Sequence, residues 1–167
     1  MQTITATPEA PVRRDRDTLY IVGTGILALC AWSLVKYILA YLQLSQVIDE
    51  VAQTGVVFGT SLANITAAAC AFALVDLALH AFVGFSARAV GQGRQKGVLY
   101  LAGAVLLALA ALATVALDAW ALFAFDGFED KLDPAISGII DFTSLAMLTQ
   151  LIAASMRLRK AEPTGRE

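Results

Sequence analysis

The stretch that decides the fold is residues 98–125, VLYLAGAVLLALAALATVALDAWALFAF, an apolar run that a single carboxylate, Asp118, interrupts. A helix rises about 1.5 Å per residue, so roughly 20 apolar residues cross the ~30 Å hydrocarbon core of a bilayer. The stretch is long enough to do so. It therefore predicts a membrane-spanning helix.

Three similar stretches accompany it, at about residues 19–42, somewhere within residues 51–87, and at residues 135–156. The breaks between them, SQVIDE, RAVGQGRQKG and DGFEDKLDP, hold the glycine, proline or charged residues that end an apolar helix. Of the 167 residues, 58% are hydrophobic and 16% are charged, and the mean hydropathy is +0.69. The hydrophobic fraction exceeds that of a typical soluble domain. Together with the four apolar stretches, it predicts an all-α integral membrane protein, a four-helix bundle.

Basic residues cluster outside the apolar runs, before span 1, between spans 2 and 3, and after span 4: Arg13, Arg14, Arg16, Arg88, Arg94, Lys96, Arg157, Arg159 and Lys160. The two other loops are acidic, so the positive-inside rule predicts that both termini are cytoplasmic, N-in/C-in. We therefore expect a polar cytoplasmic tail (1–17), a four-span transmembrane domain (18–160) and a cytoplasmic C-terminal tail (161–167). The expected location is a bacterial cytoplasmic (inner) membrane.

Two pairs of segments suggest an internal repeat. Residues 19–35, LYIVGTGILALCAWSLV, align with 99–115, LYLAGAVLLALAALATV, and residues 55–66, GVVFGTSLANIT, align with 138–149, GIIDFTSLAMLT. The matches occur in the same order at similar offsets, which predicts two parallel two-helix hairpin repeats, about 19–87 and 99–160. Such repeats are related by an axis along the membrane normal.

The second match carries a set of paired hydroxyl residues: Thr60, Ser61, Thr66, Thr143, Ser144 and Thr149. Small and hydroxyl side chains let membrane helices approach closely and hydrogen-bond to each other. We therefore expect these residues to form a face on which the hairpins pack. The alternative is that they provide hydroxyl ligands for an ion or a polar substrate.

Lys36, Asp118 and Asp141 lie within spans 1, 3 and 4, all in the outer third. A charged residue near the centre of a spanning helix costs about 2.5–3.5 kcal/mol, so it needs a partner or a function. We expect an ion pair and favour Asp141 as the partner of Lys36, because the repeat register turns Asp118 away. A cation or proton site and snorkelling to the interface are the alternatives.

Asp76 and His80, the only histidine, lie one helical turn apart in ALVDLALHAF, residues 73–82. The repeat register places Leu74 opposite Arg157, so we expect a local pair at the cytoplasmic interface that meets basic residues of the other hairpin. In that case the helix within 51–87 projects from the membrane or breaks near Gly59. The alternative is a buried proton-handling pair.

Short loops leave no room for a soluble catalytic domain, and few catalytic residue types are present, which favours a protein that is not an enzyme. The first hypothesis is a non-catalytic subunit or interaction module of a membrane complex or homo-oligomer. The alternatives are a small ion- or proton-coupled transporter or channel formed by oligomerisation, and a haem-binding or other membrane redox protein.

The expected partners are the lipid bilayer and either a partner subunit or a second copy, with no nucleic acid. Cys30 and Cys70 form no CxxC motif, and the acidic outer loop lacks EF-hand spacing, so we expect no metal site. We expect no cofactor either, because the lone His80 could ligate haem at both axial positions only across a dimer.

Overall fold

A computed structural model describes residues 9–51, 56–57, 60–94, 98–124 and 128–161. The described chain is all-α apart from one small hairpin. Its helices are α1 Glu9–Val51, α2 Leu62–Gly91, α3 Leu99–Ala124 and α4 Phe128–Ala161. Between α1 and α2 lie two antiparallel two-residue strands, β1 Val56–Val57 and β2 Thr60–Ser61.

Within the described residues, each of the four helices holds a segment long and apolar enough to cross a membrane. These segments are Pro11–Ile38, Thr66–Gly91, Leu99–Ala124 and Ala135–Ala161. The sequence prediction of four such helices is confirmed. Two bounds differ: α1 begins at Glu9, inside the expected polar tail, and α2 begins only at Leu62.

The predicted segment 51–87 is therefore not one continuous helix, and the interruption takes the form of the β1–β2 hairpin. Val56, Val57 and Thr60 are β-branched residues, which favour strand over helix because the preceding helical turn restricts their side chains. Gly55 and Gly59, to which the sequence analysis assigned the start of a repeat match and a break, lie outside the described residues.

The helices form an antiparallel ring in chain order. α1 packs on α2 and α4, and α3 packs on α4 and, less extensively, on α2. As α1 proceeds from Gly23 through Cys30 to Tyr37, it meets α2 at Gly84, Leu77 and Asp76 in turn, which establishes that the two helices are antiparallel.

The hydrophobic core occupies only one half of the bundle. Its buried residues come from the beginnings of α1 and α3 and the ends of α2 and α4: Leu19, Val22, Ile26, Val83, Ala87, Val90, Tyr100, Ala104, Leu107, Leu148, Leu151, Ala154 and Leu158. We call this the closed half of the bundle, and the part beyond Leu107 the open half.

Glycine lets α1 and α2 touch through their backbones in the closed half. A Cβ atom on Gly23 would lie 2.9 Å from the Gly84 carbonyl oxygen and 3.0 Å from the Arg88 nitrogen. One on Gly91 would lie 2.7 Å from both the Arg16 carbonyl oxygen and the Tyr20 nitrogen. Both approaches are closer than a larger residue permits.

Glycine also ends α2. Gly93 has a φ of 71°, the left-handed region that residues with a Cβ disfavour. The Arg94 nitrogen donates to the Ala89 carbonyl and the Gly93 nitrogen to the Val90 carbonyl, which is the Schellman pattern of a helix C-terminus.

Polar contacts between helices fasten the same end of the bundle. The buried Tyr100 and Ser155 hydroxyls lie 2.8 Å apart, and Arg157 Nε donates to Asp15 Oδ1 over 3.0 Å. The Arg88 guanidinium lies 5.2 Å from the centre of the Tyr20 ring, within the range of a cation–π contact. Basic residues of α1, α2 and α4 therefore lie at one end.

The two repeat matches differ in how far their matched segments share a conformation. Gly23 and Gly103, equivalent in the first match, both pack on α2. In the second match, Thr60 and Ser61 form β2, whereas Thr143 and Ser144 lie within helix α4. These segments are therefore not structurally equivalent.

Four of the six hydroxyl residues have side chains that the structure describes, and these four lie in different surroundings. Thr143 and Thr149 are exposed, and their hydroxyls donate to carbonyls of their own helix, those of Ile139 and Leu145. Ser144 is buried, whereas Thr66 lines a cleft between α1 and α2. The residue types of segments 55–66 and 138–149 match, but the strand-favouring residues before Leu62 give segment 55–66 another conformation.

Replacing Gly23 with alanine should destabilise the bundle, because the added methyl group meets the backbone of α2. We expect Gly23→Ala to lower the free energy of unfolding by about 1–3 kcal/mol, the usual cost of overpacking. Unfolding of the purified protein in a detergent mixture, followed by circular dichroism, measures this change.

Gly25→Ala is the matched control on the same helix. Its methyl group would meet only the flexible thioether of Met147, at 2.8 Å from Sδ, so the side chain can turn away. Equal losses of stability in both variants would contradict the assignment of the α1–α2 backbone contact.

Candidate functional site

A polar cavity of about 290 Å³ lies in the open half, directly beyond the core. All four helices line it, and Leu107 belongs both to the core and to the cavity wall. Its polar lining residues come from every helix: Ser33, Lys36, Tyr37, Asp76, His80, Thr114, Asp141 and Ser144. We call it the central cavity.

One side of the central cavity carries an ion pair. Lys36 Nζ of α1 lies 3.8 Å from Asp141 Oδ1 of α4 and donates to Ser137 Oγ over 2.8 Å. The two charged side chains are 39% and 21% exposed. The pairing that the sequence analysis favoured is thus present, and Ser137 fixes its geometry.

Asp118 does not belong to this site. It lies against Gly138, where an added Cβ would be 3.4 Å from the Asp118 Cβ, and it is not part of the cavity lining. Along α4 it lies at the level of Gly138, next to the Ser137 that bonds to Lys36. Only two members of the predicted cluster of three therefore line the central cavity.

The other side of the cavity carries a second carboxylate, that of Asp76, with Tyr37 and His80 as its partners. Tyr37 donates its hydroxyl proton to Asp76 Oδ2 over 2.9 Å. His80 is buried, and its Nδ1 lies 3.0 Å from the Asp76 carbonyl oxygen and 3.3 Å from Asp76 Oδ1. Asp76 and His80 therefore form a local i, i+4 pair.

The expected contact of this pair with basic residues of the other hairpin is not made, since Arg157 bonds to Asp15 instead. Asp76 contacts Tyr37 and lies about 22 Å of helix away from the end of α2 at Gly91. The interfacial position relied on the second repeat match, and it stays a prediction, as does the alternative of a proton-handling pair within the membrane. The side chains of His80 and Asp76 are 11% and 18% exposed.

The ionisable groups that line the cavity do not balance in charge. Lys36 carries one positive charge and Asp76 and Asp141 carry two negative ones, so the net charge is −1 when His80 is neutral. α3 adds only apolar residues and Thr114 to the lining. A net charge that is partly removed from water is unfavourable unless it is neutralised, so this arrangement can accept one proton or one monovalent cation.

The donor set of the central cavity consists of carboxylates, hydroxyls, one ammonium and one imidazole. Among the described residues, no group of three or more His, Cys, Asp or Glu side chains lies close enough to hold a metal. Cys30 Sγ lies 3.5 Å from the Leu77 carbonyl oxygen, and Cys70 is exposed on α2.

Sequence reasoning missed Tyr37 and Ser137, which hydrogen-bond to the charged residues, and also Ser33 and Thr114 of the lining. Ser33 and Tyr37 are spaced i, i+4, so helical periodicity could have placed both on one face. No comparable signal marks Ser137, because its role depends on how α4 is rotated against α1.

The chain matches no protein-family model, no curated protein and no solved structure.

Lys36→Met should destabilise the protein by about 1–3 kcal/mol, because it leaves the Asp141 carboxylate without its cation. Adding Asp141→Asn should recover part of that loss, since the amide needs no counter-charge. Unfolding free energies of the two single variants and the double variant measure the coupling.

Asp118→Asn provides the matched control, a carboxylate at similar depth outside the cavity lining. Its effect should simply add to that of Lys36→Met. The observed pairing would be contradicted if Asp118→Asn restored the stability that Lys36→Met loses. It would also be contradicted if Asp141→Asn restored none of it.

Proposed function

We propose that this chain is a small integral membrane protein that binds a proton or monovalent cation in its central cavity and transports it across the membrane. The observation that carries the proposal is the net negative charge of a cavity enclosed by four apolar helices. Buried ionisable residues that face a bundle interior commonly mark ion pathways and proton relays.

The outer surface of the bundle supports membrane insertion. Large apolar side chains are widely exposed on it, including Ile21 at 67%, Trp120 at 67% and Phe123 at 88%. A soluble monomer rarely exposes contiguous apolar area on this scale, whereas lipid tails cover such a surface without cost.

The charge distribution supports one orientation. Arg88 and Arg157 lie at the end of the bundle that also holds Asp15, near the beginning of α1. By the positive-inside rule this end, with both termini, faces the cytoplasm, which in a bacterium makes the host membrane the inner membrane. The open half and its cavity then face outward.

The side chains around the cavity have different roles in binding the proton. Asp141 is neutralised by Lys36, which leaves Asp76 as the carboxylate without a cationic partner unless His80 takes up a proton. Imidazole is the side chain whose charge changes nearest neutral pH. Asp76 and His80 therefore form the proton-binding pair, and Tyr37 orients the carboxylate.

Transport also requires passage through the closed half, where Ile26, Val83 and Leu151 are completely buried. The ion passes when this half repacks, or along a path that a second copy of the chain completes. Four helices form a small transporter, so we expect a homo-oligomer.

A membrane subunit or interaction module is the second candidate, and α2 provides the observation that favours it. Phe72, Leu74 and Val75 of α2 are 66%, 68% and 66% exposed, so its open half offers apolar area to another helix. Copurification of a stoichiometric partner in mild detergent, with no ion flux from the isolated chain, would favour this function.

Asp76→Asn should lower proton flux at least tenfold, because the amide cannot ionise and the cavity loses its negative charge. The measurement uses proteoliposomes with an internal pH indicator and a potassium diffusion potential as driving force. Asp141→Asn should also reduce flux, because it leaves Lys36 positive beside the site.

Asp17→Asn is the matched control, since Asp17 is an exposed carboxylate at the other end of the bundle. Its flux should equal that of the wild type. The transport proposal fails if wild-type liposomes pass protons, Na⁺ and K⁺ no faster than protein-free ones, or if Asp76→Asn conducts normally.

The orientation predicts that alkaline phosphatase fused after Ala124 is active, because this end of α3 faces outward. A fusion after Arg94 should be inactive, and green fluorescent protein fused to the C-terminus should fluoresce. The reverse pattern of activities in intact bacteria would overturn the N-in/C-in assignment.

A further inference from the structure

A second cleft, of about 450 Å³, lies between α1 and α2 in the open half. Its lining is almost entirely apolar, and we call it the α1–α2 groove. Leu34, Tyr41 and Leu74, which line it, are each about half or more exposed. The groove is therefore open on the outer surface of the bundle, where lipid lies in the membrane-inserted protein.

Tyr37 separates the groove from the central cavity and lines both. Its hydroxyl bonds to Asp76 on the cavity side. The next residue of α2, Leu77, lines the groove. The groove and the Asp76 carboxylate are thus in contact with the same aromatic side chain.

We propose that the α1–α2 groove binds the apolar tail of an amphipathic monovalent organic cation, whose charged head takes the place of the proton beside Asp76. This inference rests on the proposed function, because it uses the same charge-deficient cavity. It adds the class of substrate and the lateral route by which that substrate arrives.

Charge decides which amphiphile the site accepts. The ionisable groups facing Asp76 come from three helices: Cys30, Lys36 and Tyr37 of α1, His80 of α2 and Asp141 of α4. α3 contributes none to the cavity lining. Because Lys36 is paired with Asp141, a cationic head meets the uncompensated Asp76, whereas an anionic head is repelled.

Proton and organic cation exclude each other by the same charge balance. Either one brings the cavity from −1 to zero, and both together would bring it to +1. When the cation binds, one proton leaves the Asp76–His80 pair for solvent, and when the cation leaves, a proton returns. The rings of Tyr37 and Tyr41 give the head aromatic surfaces on its way in.

Binding of radiolabelled octyltrimethylammonium to the purified protein in maltoside detergent tests the proposal. We expect saturable binding that weakens at least tenfold from pH 8 to pH 5, with release of up to one proton per molecule bound. Asp76→Asn should abolish it. Octanesulfonate, with the same tail and the opposite charge, should not compete.

Ala69→Trp tests the route, because Ala69 lines the groove and an indole there fills it. We expect at least tenfold weaker binding of the probe and unchanged proton flux. Ala71→Trp is the matched control, since Ala71 is exposed and lines neither cavity. Equal probe affinity in the two variants would overturn the proposal.

Alkylation of Cys70 reports on the groove without any tryptophan substitution, because Cys70 is exposed and lines the groove wall. In a Cys30→Ser variant, octyltrimethylammonium should protect Cys70 from N-ethylmaleimide, and octanesulfonate should not. Equal protection by both amphiphiles, or by neither, contradicts binding in the groove.

The two proposals fail separately. A wild type that conducts protons and loses flux with Asp76→Asn, yet does not bind the probe, keeps the proposed function and refutes the amphipathic ligand. A wild type that binds the probe through Ala69 and Asp76 without any proton flux does the opposite.

Discussion

The structure depends on the backbone contact between α1 and α2 at Gly23, Gly84 and Gly91. Because these helices touch without intervening side chains, neither can slide along or rotate against the other without a clash. This contact fixes the register of everything further along both helices. It brings Tyr37 opposite Asp76 about 20 Å away from Gly23, roughly the length of helix that separates the two positions on α1.

The bundle consequently has two unlike halves. Ile26, Val83 and Leu151 are fully buried in the closed half, whereas the central cavity and the α1–α2 groove both lie in the open half. Polar residues of all four helices converge where the core packing ends. The ionisable cluster is therefore held by helices whose register is set by their packing in the closed half.

Much of this arrangement could be predicted from the sequence, because hydropathy alone identifies four apolar helices and depth alone brings Lys36 and Asp141 together. The contact of Asp76 with Tyr37 could not, since the surroundings of Asp76 were inferred from a similarity between residues 55–66 and 138–149 that does not extend to conformation. Strand-favouring residues before Leu62 outweigh that similarity. The role of Tyr37 depends on helix rotation, which an almost uniformly apolar surface does not encode.

The pairing of Lys36 with Asp141 also has a consequence for biogenesis. Synthesis at about 5–20 residues per second separates the emergence of the two residues by roughly 5–20 s, since about 100 residues lie between them. In the proposed membrane topology, the first hairpin holds the Lys36 ammonium during that interval with Asp76 as the nearest carboxylate of its own spans. Asp141 pairs with Lys36 only after α4 has been made.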